Sequence, residues 1–261
     1  MPELPEVENY RRLAELALER TVRSVSAPDA WYLKRGLSAG VVSEVLAGRM
    51  FLAARRRGKL LMLDTSDHGP VVGLRFGMSG RLVVDGSVGV DRLLYGSAVV
   101  DARFDRFTIS FDDGGTLVMS DPRRLGGVEL DPDESRLGPD AVGISPAELK
   151  RALGGSKAPL KARLLDQAHI AGVGNLIADE VLWRAGLSPL RPAGDLPAPA
   201  LRKLHRGLTE GLALLIERGG AHTGDLMPER RRGGHCPRDG AELARGTVGG
   251  RTTYWCPRHQ K

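Results

Sequence analysis

The sequence predicts an α+β protein of more than one domain: an N-terminal β-sandwich carrying one helix, then a helical domain that ends in a β-hairpin. Three observations predict it. Short runs with strand patterning crowd residues 21–119. Helical periodicity takes over between residues 146 and 217, after a polar, proline-bearing stretch that reads as a linker. The stretch from Arg230 onward is rich in glycine and arginine, leaves no room for a helix, and holds both cysteines. The expected boundaries are 1–131 for the sandwich, 132–147 for the linker, 148–228 for the helical domain and 229–261 for the terminal hairpin.

Each element follows from local pattern. Val7, Tyr10, Leu13, Leu16 and Leu18 keep roughly helical spacing, so a first helix is expected to about Arg20. Strands are expected at Thr21–Ser26, Val41–Ala54, Leu60–Asp64 and Val71–Phe76. Arg81–Asp85 and Phe107–Phe111 alternate, and Asp112-Asp-Gly-Gly115 is a strong hairpin turn before Thr116–Met119. Helices are expected at Pro146–Leu153, Leu160–His169, Leu176–Ala185 and Pro197–Glu217.

Composition narrows the function. With 261 residues and 41% hydrophobic content, the chain can fold around real cores. A net charge of +6 favours a polyanionic partner. Aromatic residues make up only 5%, which argues against a stacking platform for single strands. Two cysteines argue against a disulfide framework. No apolar run is long enough for a membrane span and no signal-peptide pattern opens the chain. A cytoplasmic protein with no membrane partner is therefore expected.

The first eight residues, Met1-Pro-Glu-Leu-Pro-Glu-Val-Glu8, carry a chemical opportunity. If Met1 is removed, Pro2 becomes a terminal secondary amine. An α-amino group has a pKa near ~8 against ~10.4 for lysine, so its nucleophilic fraction at neutral pH is about two orders of magnitude larger. Such an amine can attack a sugar carbon and form an iminium. Glu3 is a candidate proton donor or relay, and Glu6 a second carboxylate. The plainer reading is that Pro2 and Pro5 start a helix whose positive end suits acidic residues.

Four further groups stand out. Arg55-Arg-Arg-Gly-Lys59 puts four cations around a turn, where Lys59 can reach a phosphate or move a proton. Arg75-Phe-Gly-Met-Ser-Gly80 and Asp121-Pro-Arg-Arg-Leu-Gly126 expose Met78, Arg123 and Leu125, residues suited to filling a gap in a base stack or equally to packing a core. Ala171-Gly-Val-Gly-Asn175 enters a helix, a geometry that suits a phosphate, with Asn175 as cap and donor. Cys236-Pro-Arg-Asp239 and Cys256-Pro-Arg-His259 bracket a hairpin-length insert, the spacing of a zinc ribbon. Cys236, Asp239, Cys256 and His259 are the candidate ligands, with His235 as an alternative. Arg251 falls at the hairpin tip.

In order and spacing, these motifs resemble the formamidopyrimidine-DNA glycosylase and endonuclease VIII family of bifunctional base-excision repair enzymes. The resemblance spans nearly the whole chain. It includes the N-terminal motif, Arg57-Gly-Lys59, Gly77-Met-Ser-Gly80, Asp121-Pro-Arg-Arg-Leu-Gly126, Asp166-Gln167 with Gly172-Val-Gly-Asn175, and Gly250-Arg-Thr-Thr-Tyr254. It implies a helix–two-turn–helix domain and a zinc finger. It also implies damaged double-stranded DNA as partner, and base removal with strand nicking by β- and δ-elimination. Carried over residue by residue, it implies that Pro2 attacks C1′ and Glu3 helps open the sugar. Lys59 would assist elimination. Met78, Arg123 and Leu125 would fill the space left by the flipped nucleotide. Lys161 and Asn175 would bind phosphates, and Arg251 would clamp the phosphates flanking the lesion. Extrusion is required because a base inside a duplex is out of reach.

The sequence also departs from the family pattern. Arg75 and Phe76 stand where a histidine usually begins its loop, Leu125 replaces a phenylalanine, and Phe104 stands where a DNA-contacting histidine is usual. After Gly219-Gly220 the chain reaches Cys236 quickly, so the longer loop that caps 8-oxoguanine is not expected, and His222 is left as a candidate substrate contact. The preferred lesion stays open between oxidised pyrimidines, formamidopyrimidines, abasic sites and bulkier adducts. Two other classes stay open as well: a catalytically silent damaged-DNA binding protein, and a basic zinc-ribbon adaptor indifferent to lesions.

Overall fold

Two antiparallel sheets build the core of the N-terminal half. The structure is a computed structural model that describes residues 2–90, 93 and 101–261. The chain divides into two units, Met1–Glu134 and Ser135–Lys261.

In the first unit, helix α1 (Leu4–Ala14) leads into β1 (Val22–Ser26), α2 (Ala39–Leu46), β2 (Phe51–Arg57), β3 (Leu60–Thr65), β4 (Val72–Arg75), β5 (Arg81–Val84), β6 (Ser87–Val88), β7 (Asp105–Phe111), β8 (Thr116–Ser120) and β9 (Gly127–Leu130). One sheet runs β1-β7-β8-β5-β6 and the other β2-β3-β4-β9. Phe107, Ile109 and Phe111 on β7 and Leu61 and Leu63 on β3 send alternate side chains into one shared core. Val7, Tyr10 and Ala14 of α1 and Val42 and Leu46 of α2 join it. This is a β-sandwich with an N-terminal helix, the architecture the strand patterning predicts.

Two expectations fail here. Val41–Ala54 is not one strand. Residues 39–46 form α2, because the Ser38 hydroxyl accepts the Val41 N–H at 3.3 Å and Val42 and Leu46 bury one helical stripe. Burial of that stripe overrides the β-preference of the valines. The first helix ends at Ala14 rather than Arg20, passing into a 3-10 turn at Glu15–Ala17 before Glu19 adopts a φ of 60°.

The second unit contains α3 (Pro146–Leu153), α4 (Leu160–Leu165), α5 (Asn175–Ala185), α6 (Ala198–Glu217) and a terminal hairpin of β10 (Ala244–Val248) and β11 (Arg251–Trp255). A capping box starts α3, with Ser145 and Glu148 each accepting the other's backbone N–H. Helix α4 is shorter than expected. The Asp166 carboxylate takes the Ala168 N–H at 3.0 Å and bends the chain before His169. Residues 137–145 are tied to this bend: Gly138 N–H donates to Gln167 O and Ala171 N–H to Pro139 O, both at 2.9 Å.

Candidate functional site

Pro2 and Glu3 are buried at the start of α1, and Glu3 is the residue that caps it. Glu3 N–H donates to the Glu6 carboxylate at 2.9 Å, completing a reciprocal box with the Glu3 side chain. Glu6 is thereby a cap as well as a carboxylate. Met1, whose removal the amine chemistry requires, lies outside the described residues.

Lys59 sits in the two-residue turn between β2 and β3, where Arg57 pairs with Leu60. That turn is bonded to α1. Arg56, with a nearly buried side chain, donates to Gly58 O at 2.9 Å and pairs through Nε with Glu8 at 3.1 Å. Glu8 also pairs with Arg11 at 3.0 Å and Arg12 at 3.4 Å. The helix bearing Pro2 and Glu3 and the turn bearing Lys59 therefore share one ion-pair network.

The two loops carrying Met78 and Leu125 are also joined. Tyr10 of α1 stacks on Phe76 with ring centroids 4.5 Å apart, and its hydroxyl donates to Gly80 O at 3.3 Å. Burial raises the pKa of this hydroxyl well above its usual value and keeps it a donor. Beyond it, the buried Asp121 carboxylate accepts from Ser79 Oγ at 2.6 Å, Arg123 N–H at 3.1 Å and Gly126 N–H at 2.9 Å. A side chain at Gly77 would lie 2.4 Å from the Leu125 backbone, so only glycine permits this approach. The result presents Leu125 and Arg123 to solvent and leaves Met78 half-buried. Among the described residues, the Arg123 guanidinium has no ion-pair partner. Arg75 pairs with Glu129 at 2.7 Å, and Phe104 O accepts the Asp121 N–H at 2.7 Å.

In the second unit the sequence expectations divide. Arg251 is exposed at the hairpin tip, just after Gly249 and Gly250, which both take the positive φ that this tight turn demands. Lys161 is a correction. Its side chain is wholly buried, with Nζ 2.7 Å from Asp179 and donating to Thr253 Oγ1 at 2.8 Å, so it does not present an ammonium to a phosphate. Asp179 pairs also with Arg230 at 2.7 Å, and Arg230 donates to Thr252 O at 3.0 Å. This cluster fastens the hairpin to α4 and α5. Asn175 is also corrected as a cap. Gly174 occupies the cap position without a side-chain bond, and the buried Asn175 Oδ1 has no hydrogen-bond partner. The glycine turn is held instead by Gln167, which accepts from Gly172 N–H at 3.0 Å and donates to Val173 O at 2.9 Å. His222 lies on a 3-10 turn in a segment pinned by Glu180, which accepts from Leu226 N–H at 2.9 Å.

Cys236, Asp239, Cys256 and His259 do converge. Their ligand atoms all lie within 4.8 Å of one another. Cys236 Sγ is 3.5 Å from His259 Nδ1, Cys256 Sγ is 3.3 Å from Asp239 Oδ2, and His259 Nδ1 is 3.3 Å from Asp239 Oδ2. Zinc–ligand bonds of about 2.0–2.3 Å imply tetrahedral edges of about 3.3–3.8 Å, so the donor set fits such an ion. The surroundings fit too. Nε2 of His259 is 3.3 Å from the Trp183 carbonyl, which leaves Nδ1 for a metal. Trp183 Nε1 and Arg238 N–H point at Cys236 Sγ, each at 3.4 Å. The Ala241 N–H and the surrounding donors hold the Asp239 carboxyl down to about 2, and burial raises the Cys256 thiol. His235 is exposed and lies outside this group.

Glu8, Arg56, Asp121 and Asp179 were not singled out from sequence. The i+3 and i+4 spacing of Glu8 to Arg11 and Arg12 was readable as helix pairing, but the bond to Arg56, 48 residues away, was not.

The chain matches two family descriptions: formamidopyrimidine-DNA glycosylase N-terminal domain over residues 1–128, and formamidopyrimidine-DNA glycosylase H2TH domain over residues 137–226. A formamidopyrimidine-DNA glycosylase of Stenotrophomonas maltophilia is 35% identical, with both chains fully covered. One from Arabidopsis thaliana is 34% identical over all of this chain and 71% of its own length. A Lactococcus lactis Fpg bound to DNA containing an abasic site superposes with a TM-score of 0.82 at 28% identity, covering 99% of both chains. MutM in complex with DNA containing carbocyclic 8-oxo-G gives 0.83 at 28% identity over the full length of both.

Proposed function

The chain belongs to the formamidopyrimidine-DNA glycosylase family, and on that premise we propose that it excises damaged bases through the secondary amine of Pro2. It is a base-excision repair DNA glycosylase with AP lyase activity, acting as a monomer on damaged double-stranded DNA. Among the described residues no helix is long and apolar enough to cross a membrane.

The chemistry runs in balanced steps. Once Met1 is removed, the Pro2 nitrogen attacks C1′ of the damaged nucleotide. The C1′–base bond breaks, and the base leaves with the electron pair and takes up a proton. Glu3 supplies a proton to the ring oxygen as the sugar opens, leaving an iminium on Pro2. Loss of a C2′ proton expels the 3′ phosphate, nicking the strand, and water then releases the remnant and frees Pro2. Lys59 assists this β-elimination beside the lesion phosphate. Before that hydrolysis, Arg251 grips the flanking phosphates and promotes a second, δ, elimination, in which a proton leaves C4′ and the C5′–O bond to the 5′ phosphate breaks. Met78, Arg123 and Leu125 occupy the gap left by the extruded nucleotide.

The observation that carries this reading is the ion-pair network through Glu8, which bonds the Pro2–Glu3 helix to the Lys59 turn. Borohydride should trap wild-type protein on DNA containing an abasic site, and Pro2→Gly should give no adduct. Absence of an adduct with protein whose mature N-terminus is Pro2 would overturn the chemistry and leave a binding protein.

We assign zinc to Cys236, Asp239, Cys256 and His259, where it would brace the hairpin that presents Arg251. The exposed Leu125 and the brief 221–235 segment favour ring-opened bases, oxidised pyrimidines and abasic sites over 8-oxoguanine. Excision from duplexes carrying single defined lesions tests that preference, and fastest release of 8-oxoguanine would reverse it.

A further inference from the structure

We propose that Trp31, with Lys34, forms an accessory DNA-backbone contact next to the loop that carries Arg123 and Leu125. This inference rests on the glycosylase reading. Trp31 is 68% exposed, the most exposed of the large apolar side chains among the described residues. It lies on the 3-10 turn Ala30–Tyr32, where the Asp29 carboxylate accepts its N–H at 3.1 Å.

That turn is fastened to the loop at 121–128. Arg124 donates to both Asp29 oxygens, at 2.6 and 2.7 Å. Lys34 N–H donates to Val128 O at 2.8 Å, and Leu33 bridges to Val128. Tyr32 is buried against the loop, where a side chain at Gly126 would come 2.6 Å from its hydroxyl. Trp31 and the loop are therefore parts of one surface.

Charge identifies the occupant. Asp29 and Glu129 are nearly buried and already paired, with Arg124 and with Arg35 and Arg75. Lys34 and Arg123 have no carboxylate partner among the described residues. The Lys34 ammonium sits 5.1 Å over the Trp31 ring and donates to its carbonyl at 2.7 Å. An exposed indole under the uncompensated Lys34 cation, continuous with a loop that carries a second in Arg123 and is assigned to the duplex, suits deoxyribose and phosphate. A second copy of this +6 chain would bring like charge to the same face.

The test uses full-length protein and a duplex carrying a tetrahydrofuran abasic analogue, which binds without being cleaved. Trp31→Ala should weaken binding about five-fold or more, as truncation of an interface tryptophan commonly does. Trp31→Phe should retain most of the affinity. Lys34→Ala should lower the salt slope by about one. DNA should quench wild-type fluorescence more than that of Trp31→Phe, since Trp183 and Trp255 remain in both. Borohydride trapping at saturating abasic-site DNA should be equal in wild type and Trp31→Ala. Equal affinity and equal quenching, with trapping intact, would overturn this inference alone. Self-association of wild type that Trp31→Ala abolishes, at unchanged DNA affinity, would give the surface to a second copy and overturn it too. No trapping in wild type would instead strike the reading beneath it.

Discussion

Lys161 and Asp179 show how far a residue's role departs from its type. A lysine five residues before a polar turn reads as a phosphate ligand, yet its ammonium is enclosed by Asp179 and Thr253, the latter 92 positions away. No local pattern reports that partner. Asp179 neutralises two cations at once, Lys161 and Arg230. Asp179→Ala should therefore cost about 3–5 kcal/mol, because it strands buried positive charge. Lys161→Met should cost less, since Arg230 still pairs with Asp179. Urea unfolding midpoints of the two variants check the order. Pro2, Glu3 and Lys59 could be nominated from sequence because the chemistry proposed for them depends on residue type and position in the chain. The Glu8–Arg56 bond that unites them was not, because it depends on folding.

At the scale of elements, most strands and helices could be read from period and turn residues. α2 was read as the wrong type, since a short valine-bearing helix and a strand differ there only by a serine cap and a burial stripe. The Arg56 bridge makes α1 and the β2–β3 turn act as one part. Arg56→Ala should slow single-turnover base release by about ten-fold or more while leaving affinity for tetrahydrofuran DNA nearly unchanged, because misplacing reacting groups costs rate rather than binding. Rapid-quench kinetics alongside equilibrium binding separate the two. The hairpin was legible from cysteine spacing, and its four candidate donors converge to within 4.8 Å of one another. Chelation, or Asp239→Ala, should remove bound zinc, change the near-ultraviolet dichroism of Trp183 and weaken DNA binding. Metal analysis finding no zinc in fresh protein would remove that assignment and leave the Pro2 chemistry untouched.

For the whole molecule, charge sets two behaviours. A net +6 makes DNA affinity fall steeply with salt, and Arg251→Ala should reduce that slope by about one, measured by titration across ionic strengths. Arg20 holds Asp113 down to about 2 and lowers Asp85, Arg124 lowers Asp29, and Arg218 lowers Asp225. Each carboxylate binds its proton more weakly when folded than when unfolded. Its stabilisation is present above the ordinary aspartate value near ~3.9 and is lost as pH falls through the lowered one. Thermal midpoints should therefore stay level from neutral pH to about 5 and drop below about 4, with Arg20→Met flattening the acid limb. A midpoint that declines evenly from pH 7 would refute this account. Domain order could be read from the change of periodicity, and the division between the two units at Glu134–Ser135 falls inside the polar, proline-bearing stretch expected as the linker.

The shared clasp on Asp121 has an evolutionary corollary. Two stretches of chain some forty positions apart cannot drift independently when one carboxylate and one side-chain-free contact weld them. On the proposed role of Met78 and Leu125 at the lesion, a lineage changing its taste in lesions would have to exchange both segments together. An engineer transplanting either one alone should obtain a correctly folded but poorly discriminating hybrid.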